Sequence, residues 1–299
     1  MARVQAIQAE QEPGPDDGIN YWRTQPASYD GVLGGFGKGS LPRVETLGSR
    51  QFLMHLFPEL CTVPSAVRPL RPKPKARRTR ALDVGAGIGR VTADTLLHLF
   101  DDVVILEPVD DLVREAYARG TASDPSSATH APRTQQGDSG EPPFVPWKGI
   151  ADNSKSVAFF QGGLQTFDPA NPTKSTDVIG RVGFVPEVPT SDLDSGFDVV
   201  WCQWCLMYLS DTDLVAFLKR SKPALRDPKR SVIVVKENLC SDGEYNTPIT
   251  IFDQEDSSVT RSDLAFKRIF EDAGLTVVHE QVQQGLPEGL FVVKMYALR

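Results

Sequence analysis

Residues 82–90 read LDVGAGIGR, and the fold follows from what stands on either side of them. Upstream, ALDV (residues 81–84) is a short apolar run of the kind that makes a buried strand. Gly85, Gly87 and Gly89 then alternate along a turn, and GRVTADTLLHLF (89–100) carries helical periodicity. A second strand, VVILE (103–107), and a second helix, VDDLVREAYARG (109–120), follow. Strand, helix, strand, helix is the signature of a parallel α/β sheet. Glycine at such a turn lets the backbone bend sharply and lets a ligand come close to the peptide. Glu107 stands 22 positions after Gly85 at the end of the next strand, where a carboxylate can take the hydroxyls of a ribose.

Working outward, VAFFQ (157–161), FDVVW (197–201) and SVIVVK (231–236) continue the strand pattern. SDTDLVAFLKRSKPAL (210–225) is a helix with an N-cap at Ser210 or Asp211. NLCSDGEYNTPITIFD (238–253) has hairpin character, SDLAFKRIFEDAG (262–274) is a helix ending on Gly274, and TVVHEQV (276–282) with LFVVKMYAL (290–298) forms a closing antiparallel pair. Residues 1–18, rich in Pro, Gly and acid, read as a disordered tail. Residues 19–299 form a single domain, with an N-terminal lid of helices and turns over 19–60 and loop insertions over 120–155 and 169–195.

Composition narrows the class of function. A net charge of −7 argues against a general nucleic-acid binder and suits a basic partner. The segment RPLRPKPKARRTR (68–80) holds seven basic residues and reads as a solvated linker, with KARR as a nuclear address the competing reading. The absence of a long apolar run or a secretory leader gives the expectation of a cytoplasmic protein that engages no membrane. Cys202 and Cys205 form a C-x-x-C without a second ligand pair, so no metal is expected, and reduced thiols are.

The glycine turn admits more than one ligand. A dinucleotide fingerprint, G-x-G-x-x-G, would place glycine or alanine at position 90, and Arg90 stands there instead. A tight turn that binds nothing is the bland alternative. LDVGAGIGR resembles the first motif of class I S-adenosylmethionine-dependent methyltransferases. Gly163, Leu164 and Gln165 follow the third strand, where that fold brings residues to the adenine. Further segments resemble the N-terminal Xaa-Pro-Lys N-methyltransferase family: YWRTQPASYDGVLGGFG (21–37), GLQTF (163–167), WCQWCLMYL (201–209), KENL (236–239), FDQEDSSVTRS (252–262) and the terminal YALR (296–299).

The resemblance implies a Rossmann-like class I methyltransferase fold. Its sheet would have seven mostly parallel strands with an antiparallel last strand, joined by an N-terminal helical lid and a β-hairpin insertion. It implies S-adenosylmethionine as cofactor, with S-adenosylhomocysteine as product, held by Trp22, Gly85, Gly87, Arg90, Glu107, Leu164, Gln165 and Gln203. Arg90 would pair with the methionine carboxylate, a task that suits a guanidinium. The implied acceptor is a protein or peptide N-terminus with proline second and a basic residue third. Trp204 would pack on that proline and Asn238 would bond the peptide backbone. Asp253 and Asp256 would meet the basic residue or the amine, next to Ser258. Leu33 would lid the peptide, and Phe291 stands where the family tends to carry tyrosine near the substrate mouth.

Tyr208 stands where better-known members have a histidine thought to help remove the proton. Tyrosine is a poor base at neutral pH. The expectation is therefore that Asp256 carries the proton step while Tyr208 and Asn238 complete the catalytic group by orienting the amine. Taken singly, a tryptophan after a strand is ordinary core and an Asp-Ser-Ser before a helix an ordinary cap; their joint occurrence carries the reading. A class I methyltransferase with another acceptor, and a binding-only relative, are the alternatives.

Overall fold

The computed structural model describes residues 11–61, 77–126, 144–187 and 192–299. Its strands are β1 (Arg80–Val84), β2 (Asp102–Glu107), β3 (Ser156–Gln161), β4 (Asp177–Gly183), β5 (Val199–Gln203), β6 (Val232–Cys240), β7 (Thr250–Asp253), β8 (Ser258–Ser262), β9 (Val277–Val282) and β10 (Val292–Leu298). They form one sheet in the order β4-β3-β2-β1-β5-β6-β10-β9, with the β7–β8 hairpin joined to the end of β6. β3, β2, β1, β5 and β6 run parallel, and β10 is antiparallel to both β6 and β9. Because β9 turns back again, β10 is the one reversed strand of the seven expected.

The parallel strands are apolar at consecutive positions because both faces of the sheet are covered. Leu82, Val84, Val104 and Leu106 point into one core, while Ala81, Val103 and Ile105 point into the other. On the first face lie α7 (Asp211–Ser221), capped by Ser210 Oγ accepting from the Asp213 amide, and α8 (Asp263–Asp272), capped by Ser262. On the second lie α5 (Asp110–Ala122) and α3 (Leu41–Leu56), the latter burying Leu41, Glu45, Gly48, Ser49, Phe52 and Leu53 along one stripe. Two further helices complete the lid, α1 (Pro15–Thr24) and α2 (Tyr29–Val32). The helix after the glycine turn contains a π-helical stretch at Thr92–Leu96 that runs into α4 (Leu97–Leu99), and a short α6 (Pro172–Ser175) precedes β4.

Several expected boundaries shift. The predicted tail ends early: residues 15–18 are the first turn of α1, started by Pro15 at a position whose amide needs no partner, while residues 1–10 lie outside the described residues. The expected loop at 169–195 contains the antiparallel edge strand β4, so the sheet gains a strand beyond the seven. Its sequence, DVIGRVG, is half-exposed and holds two glycines, which weakens the strand signal. Within 120–155, α5 runs on to Ala122, and Trp147 and Ile150 are buried, Trp147 stacking on Phe159 at 6.1 Å between centroids. Residues 127–143 of that stretch lie outside the described residues.

The basic segment is likewise not all linker. Arg78 forks onto Asp102 at 2.8–3.1 Å, and Arg77 pairs with Asp198 at 3.1 Å. Arg80 is buried in β1, donating to the Leu193 carbonyl at 2.9 Å and to Ser195 Oγ at 3.0 Å. Residues 62–76 lie outside the described residues.

Candidate active site

A cavity of about 360 Å³ opens at the carboxyl ends of β1, β2, β5 and β6, where the strand order reverses and parallel α/β sheets bind their ligands. Gly85 follows β1 with φ +63°, and a Cβ there would lie 2.4 Å from Cys205 Cβ, so the turn needs glycine for both conformation and space. Gly87 also has positive φ, +56°, but a Cβ on it would meet only Val32 at 3.6 Å: its backbone faces the cavity.

Glu107 closes β2 and braces this turn. Its Oε2 accepts from the Gly87 amide at 2.8 Å and its Oε1 from the Val109 amide at 2.9 Å. Each oxygen keeps a second lone pair for a ligand. Burial pushes its carboxyl up to about 7 despite the two amides that favour the ionised form. Asp83, behind the turn, accepts from Thr92 Oγ1 at 2.6 Å and is also raised to about 7 by burial.

After β5 the chain makes a strained turn. Trp204 sits at φ +53°, an unusual conformation for a bulky residue and one held in place from three sides. Its amide donates to the Lys236 carbonyl at 3.1 Å, and its indole Nε1 donates to Asn238 Oδ1, also at 3.1 Å. Just beyond, Glu237 Oε1 accepts from the Cys205 and Leu206 amides at 2.9 Å. The Arg90 guanidinium lies 5.9 Å from the Trp204 ring. Gln203, at the end of β5, accepts from Trp201 Nε1, yet its own Nε2 is buried without a partner on the cavity wall.

The lid closes the other side. Gly18 of α1 lies so near the Tyr208 ring that a Cβ would come within 2.6 Å of Cδ1, and Trp22 meets Tyr208 edge-on at 6.3 Å. The Gly14 amide donates to Ser257 Oγ at 3.2 Å, which ties the start of α1 to the hairpin turn. Tyr208 OH donates to Asp256 Oδ2 at 3.0 Å. Burial, then Asp256, raise the Tyr208 phenol far above its ordinary range, so it is a donor here and not a base.

Trp22, Leu33, Gly85, Gly87, Arg90, Glu107, Leu164, Gln165, Gln203, Trp204, Tyr208, Asn238 and Phe291 all line this cavity. Three residues expected with them do not. Asp256 stands behind Tyr208, Asp253 is exposed with its Oδ1 taking the Glu255 amide, and Ser258 is buried in β8 with its amide on Asp256 Oδ1. Asp256 and Ser257 lie in the turn of the hairpin and Ser258 opens β8, so none of them is a helix cap; Ser262 caps α8. The wall also includes Ile19, Leu286 and Leu290, outside the family motifs, and Phe36 and Met207, which lie within two of those motifs without an assigned role. The sequence offered one signal: the two leucines of GLPEGL (285–290) are apolar residues in a turn-rich stretch.

The fittings match S-adenosylmethionine part by part. A glycine backbone faces the cavity, a strand-end carboxylate has lone pairs to spare for a diol, a guanidinium is present for a carboxylate, and Gln203 Nε2 is an orphaned donor. Among the described residues no group of His, Cys, Asp and Glu could hold a metal, and no helix is long and apolar enough to cross a membrane.

Comparison with known proteins agrees. Residues 10–133 and 147–299 match the model of the AdoMet dependent proline di-methyltransferase family. An alpha N-terminal protein methyltransferase 1 of Arabidopsis thaliana is 34% identical over 282 residues, 94% of this chain and 78% of that protein. An N-terminal Xaa-Pro-Lys N-methyltransferase 1 of Rattus norvegicus is 30% identical over 93% of this chain and 92% of its own length. A solved SAM-dependent methyltransferase of Leishmania major superposes with a TM-score of 0.62 at 30% identity, covering 95% of this chain and 82% of that one. Fold and site together define an S-adenosylmethionine-dependent methyltransferase of the class I, Rossmann-like kind. Within that class, the chain belongs to the AdoMet dependent proline di-methyltransferase family.

Proposed function

We propose that this enzyme methylates the α-amino group of protein N-termini of the Xaa-Pro-Lys or Xaa-Pro-Arg type. The observation that carries the reading is the pairing, in one cavity, of the Trp204–Asn238 couple with Tyr208, which reaches Asp256 behind it. An indole face suits a proline ring, and the amide of Asn238 has donors left for a peptide carbonyl. Asp253, Glu255 and Asp256 crowd the hairpin turn beside α1. After burial, their fields are what raise the Tyr21 hydroxyl, in the order Asp256, Glu255, Asp253. That acidic rim fits a basic third residue.

Bound S-adenosylmethionine supplies an electrophilic methyl group, and its binding falls to Gly85, Gly87, Arg90, Glu107, Leu164, Gln165 and Gln203, with Trp22 closing over it from α1. The acceptor must arrive as a neutral amine in line with that methyl. An α-amine titrates near 8, so about a tenth is already neutral at pH 7, and little help is needed. From behind Tyr208, Asp256 attracts the protonated terminus and accepts its proton through water. Tyr208 holds the Asp256 carboxylate by its hydroxyl and orients the amine. Leu33 and Phe291 exclude water at the mouth. The same reading assigns the enzyme to the cytoplasm and nucleus, where imaging of a tagged full-length chain tests it.

A peptide panel varying positions one to three, scored by mass spectrometry, tests the proposal. Methylation should require a free α-amine, fall sharply when proline is replaced at position two, and fall when the third residue is made acidic. Equal methylation of peptides lacking proline and the basic residue would favour a class I enzyme with another acceptor. Cofactor binding with no methylation of any peptide would favour a binding-only relative.

A further inference from the structure

The deepest charged cluster among the described residues lies between lid helix α3 and the sheet. Lys236 Nζ, fully buried, donates to Glu45 Oε1 and Ser49 Oγ at 2.8 Å each, and to the Glu45 carbonyl and Gln283 Oε1 at 3.2 Å each. The other oxygen of Glu45 takes Arg90 Nη1. Glu45 and Lys236 are wholly buried, and Arg90 is 6% exposed and lines the cavity. Two cations thus share one carboxylate. Two further acids face this cluster: Asp83, pushed up to about 7 by burial and accepting from Thr92, and Asp94, which accepts from the Tyr29 hydroxyl and shares its field between Arg90 and Arg50.

Such an arrangement is expensive to bury unless its charge is balanced. A closed Arg90–Glu45 pair would be neutral and would give an incoming anion little reason to bind. With Lys236 drawing on the same carboxylate, part of the Arg90 charge stays unmatched, and Arg90 lines the cavity wall. Glu45 also belongs to the lid, so the group that holds Arg90 is the group that fastens α3 over the pocket.

We propose that Glu45 and Lys236 are positioning residues for the cofactor's carboxylate: together they hold Arg90 in place with one positive charge in excess, and the carboxylate completes the balance. This rests on Arg90 as the carboxylate partner and is independent of the methyl acceptor. The net charge of the cluster, rather than the presence of either residue, sets the affinity.

The test is S-adenosylhomocysteine binding to the full-length chain by calorimetry, with no acceptor present, beside methylthioadenosine, which has the nucleoside but lacks the carboxylate. Lys236→Met should weaken S-adenosylhomocysteine by about tenfold, the scale of one charge-assisted contact, and leave methylthioadenosine unchanged. The double variant E45Q/K236M regains the excess charge and should return to within about threefold of the parent, whereas two merely structural losses would add. Glu45→Gln alone should melt lower without ligand and show a larger ligand-induced rise in Tm than the parent. An unchanged affinity in K236M, equal weakening of both ligands, or a double variant no better than K236M would overturn the proposal. The last two comparisons decide even if E45Q alone does not fold. Arg90→Met is the separate control: if it binds S-adenosylhomocysteine normally, Arg90 is not the carboxylate partner, and the proposal falls with that reading.

Discussion

The cofactor half of the cavity and the acceptor half are built by different means. Gly85, Gly87, Glu107 and Gln203 sit at or just beyond the ends of adjacent parallel strands, so the register of the sheet places them and backbone amides brace them. The acceptor half is joined by side chains from distant parts of the chain: Gly18 and Trp22 of α1 against Tyr208, Tyr208 on Asp256, and Ser257 back to Gly14. In a half set by sheet register, a substitution that clashes should lose the fold along with binding, and one that meets no close atom should act mainly on binding. A half set by side-chain contacts should lose function while the fold stays intact.

The largest expected effect is on the acceptor side. Asp256→Asn should lower kcat by about 100-fold or more, the usual worth of a positioned proton acceptor, with S-adenosylhomocysteine affinity unchanged. Tyr208→Phe should cost less, because a phenol raised by burial does not take the proton. Retained turnover in D256N together with abolished turnover in Y208F would reverse the two roles.

Next come the glycines, which separate fold from binding within the cofactor half. Gly85→Ala puts a Cβ against Cys205 at a left-handed φ and should lower Tm as well as abolish cofactor binding. Gly87→Ala meets no close atom, so it should cost only the left-handed strain of about 1–2 kcal/mol while still weakening the cofactor. Thermal melts with and without S-adenosylhomocysteine distinguish the two. Trp204→Ala should raise peptide KM by about tenfold or more, as for a central aromatic contact, with cofactor affinity close to the parent value.

A pH dependence sharpens the comparison from the cofactor side. Burial raises the Glu107 carboxyl from 4.5 to about 7, so the folded state holds a proton that the unfolded chain releases. Its contribution to stability is present below the unfolded value and is lost as pH rises through about 7. Ribose hydroxyls donating to Glu107 favour the ionised form. Affinity for S-adenosylhomocysteine should therefore climb with pH, approaching tenfold per unit below neutrality, and level off above about 7. Glu107→Gln should flatten that climb in calorimetric titrations. The smallest effect is expected at Phe291→Tyr, an exposed position at the mouth, where peptide KM should change by less than about threefold.

What the sequence made legible follows the same division. The strands, the glycine turn and Glu107 could be read because buried parallel strands are continuous apolar runs and a ligand-facing turn needs glycine. Strand β4 could not, since an edge strand with two glycines and half-exposed faces carries little periodicity. Trp204 and Tyr208 were legible only through family resemblance, because spacing alone does not tell a platform from a core aromatic. The Glu45–Lys236 pair was hidden for a different reason. A charged residue in an apolar stripe reads as a solvent-facing position until its partner, 191 residues away, is brought beside it.

The position of the transferred methyl group decides between an α-amine and any other acceptor. A peptide beginning Xaa-Pro-Lys and its N-acetylated counterpart, each incubated with the enzyme and S-adenosylmethionine and sequenced by fragmentation mass spectrometry, give the answer. Methyl groups confined to the α-amine of the free peptide, with the acetylated one untouched, are the predicted result. Methylation of the lysine side chain, or of both peptides alike, would contradict it.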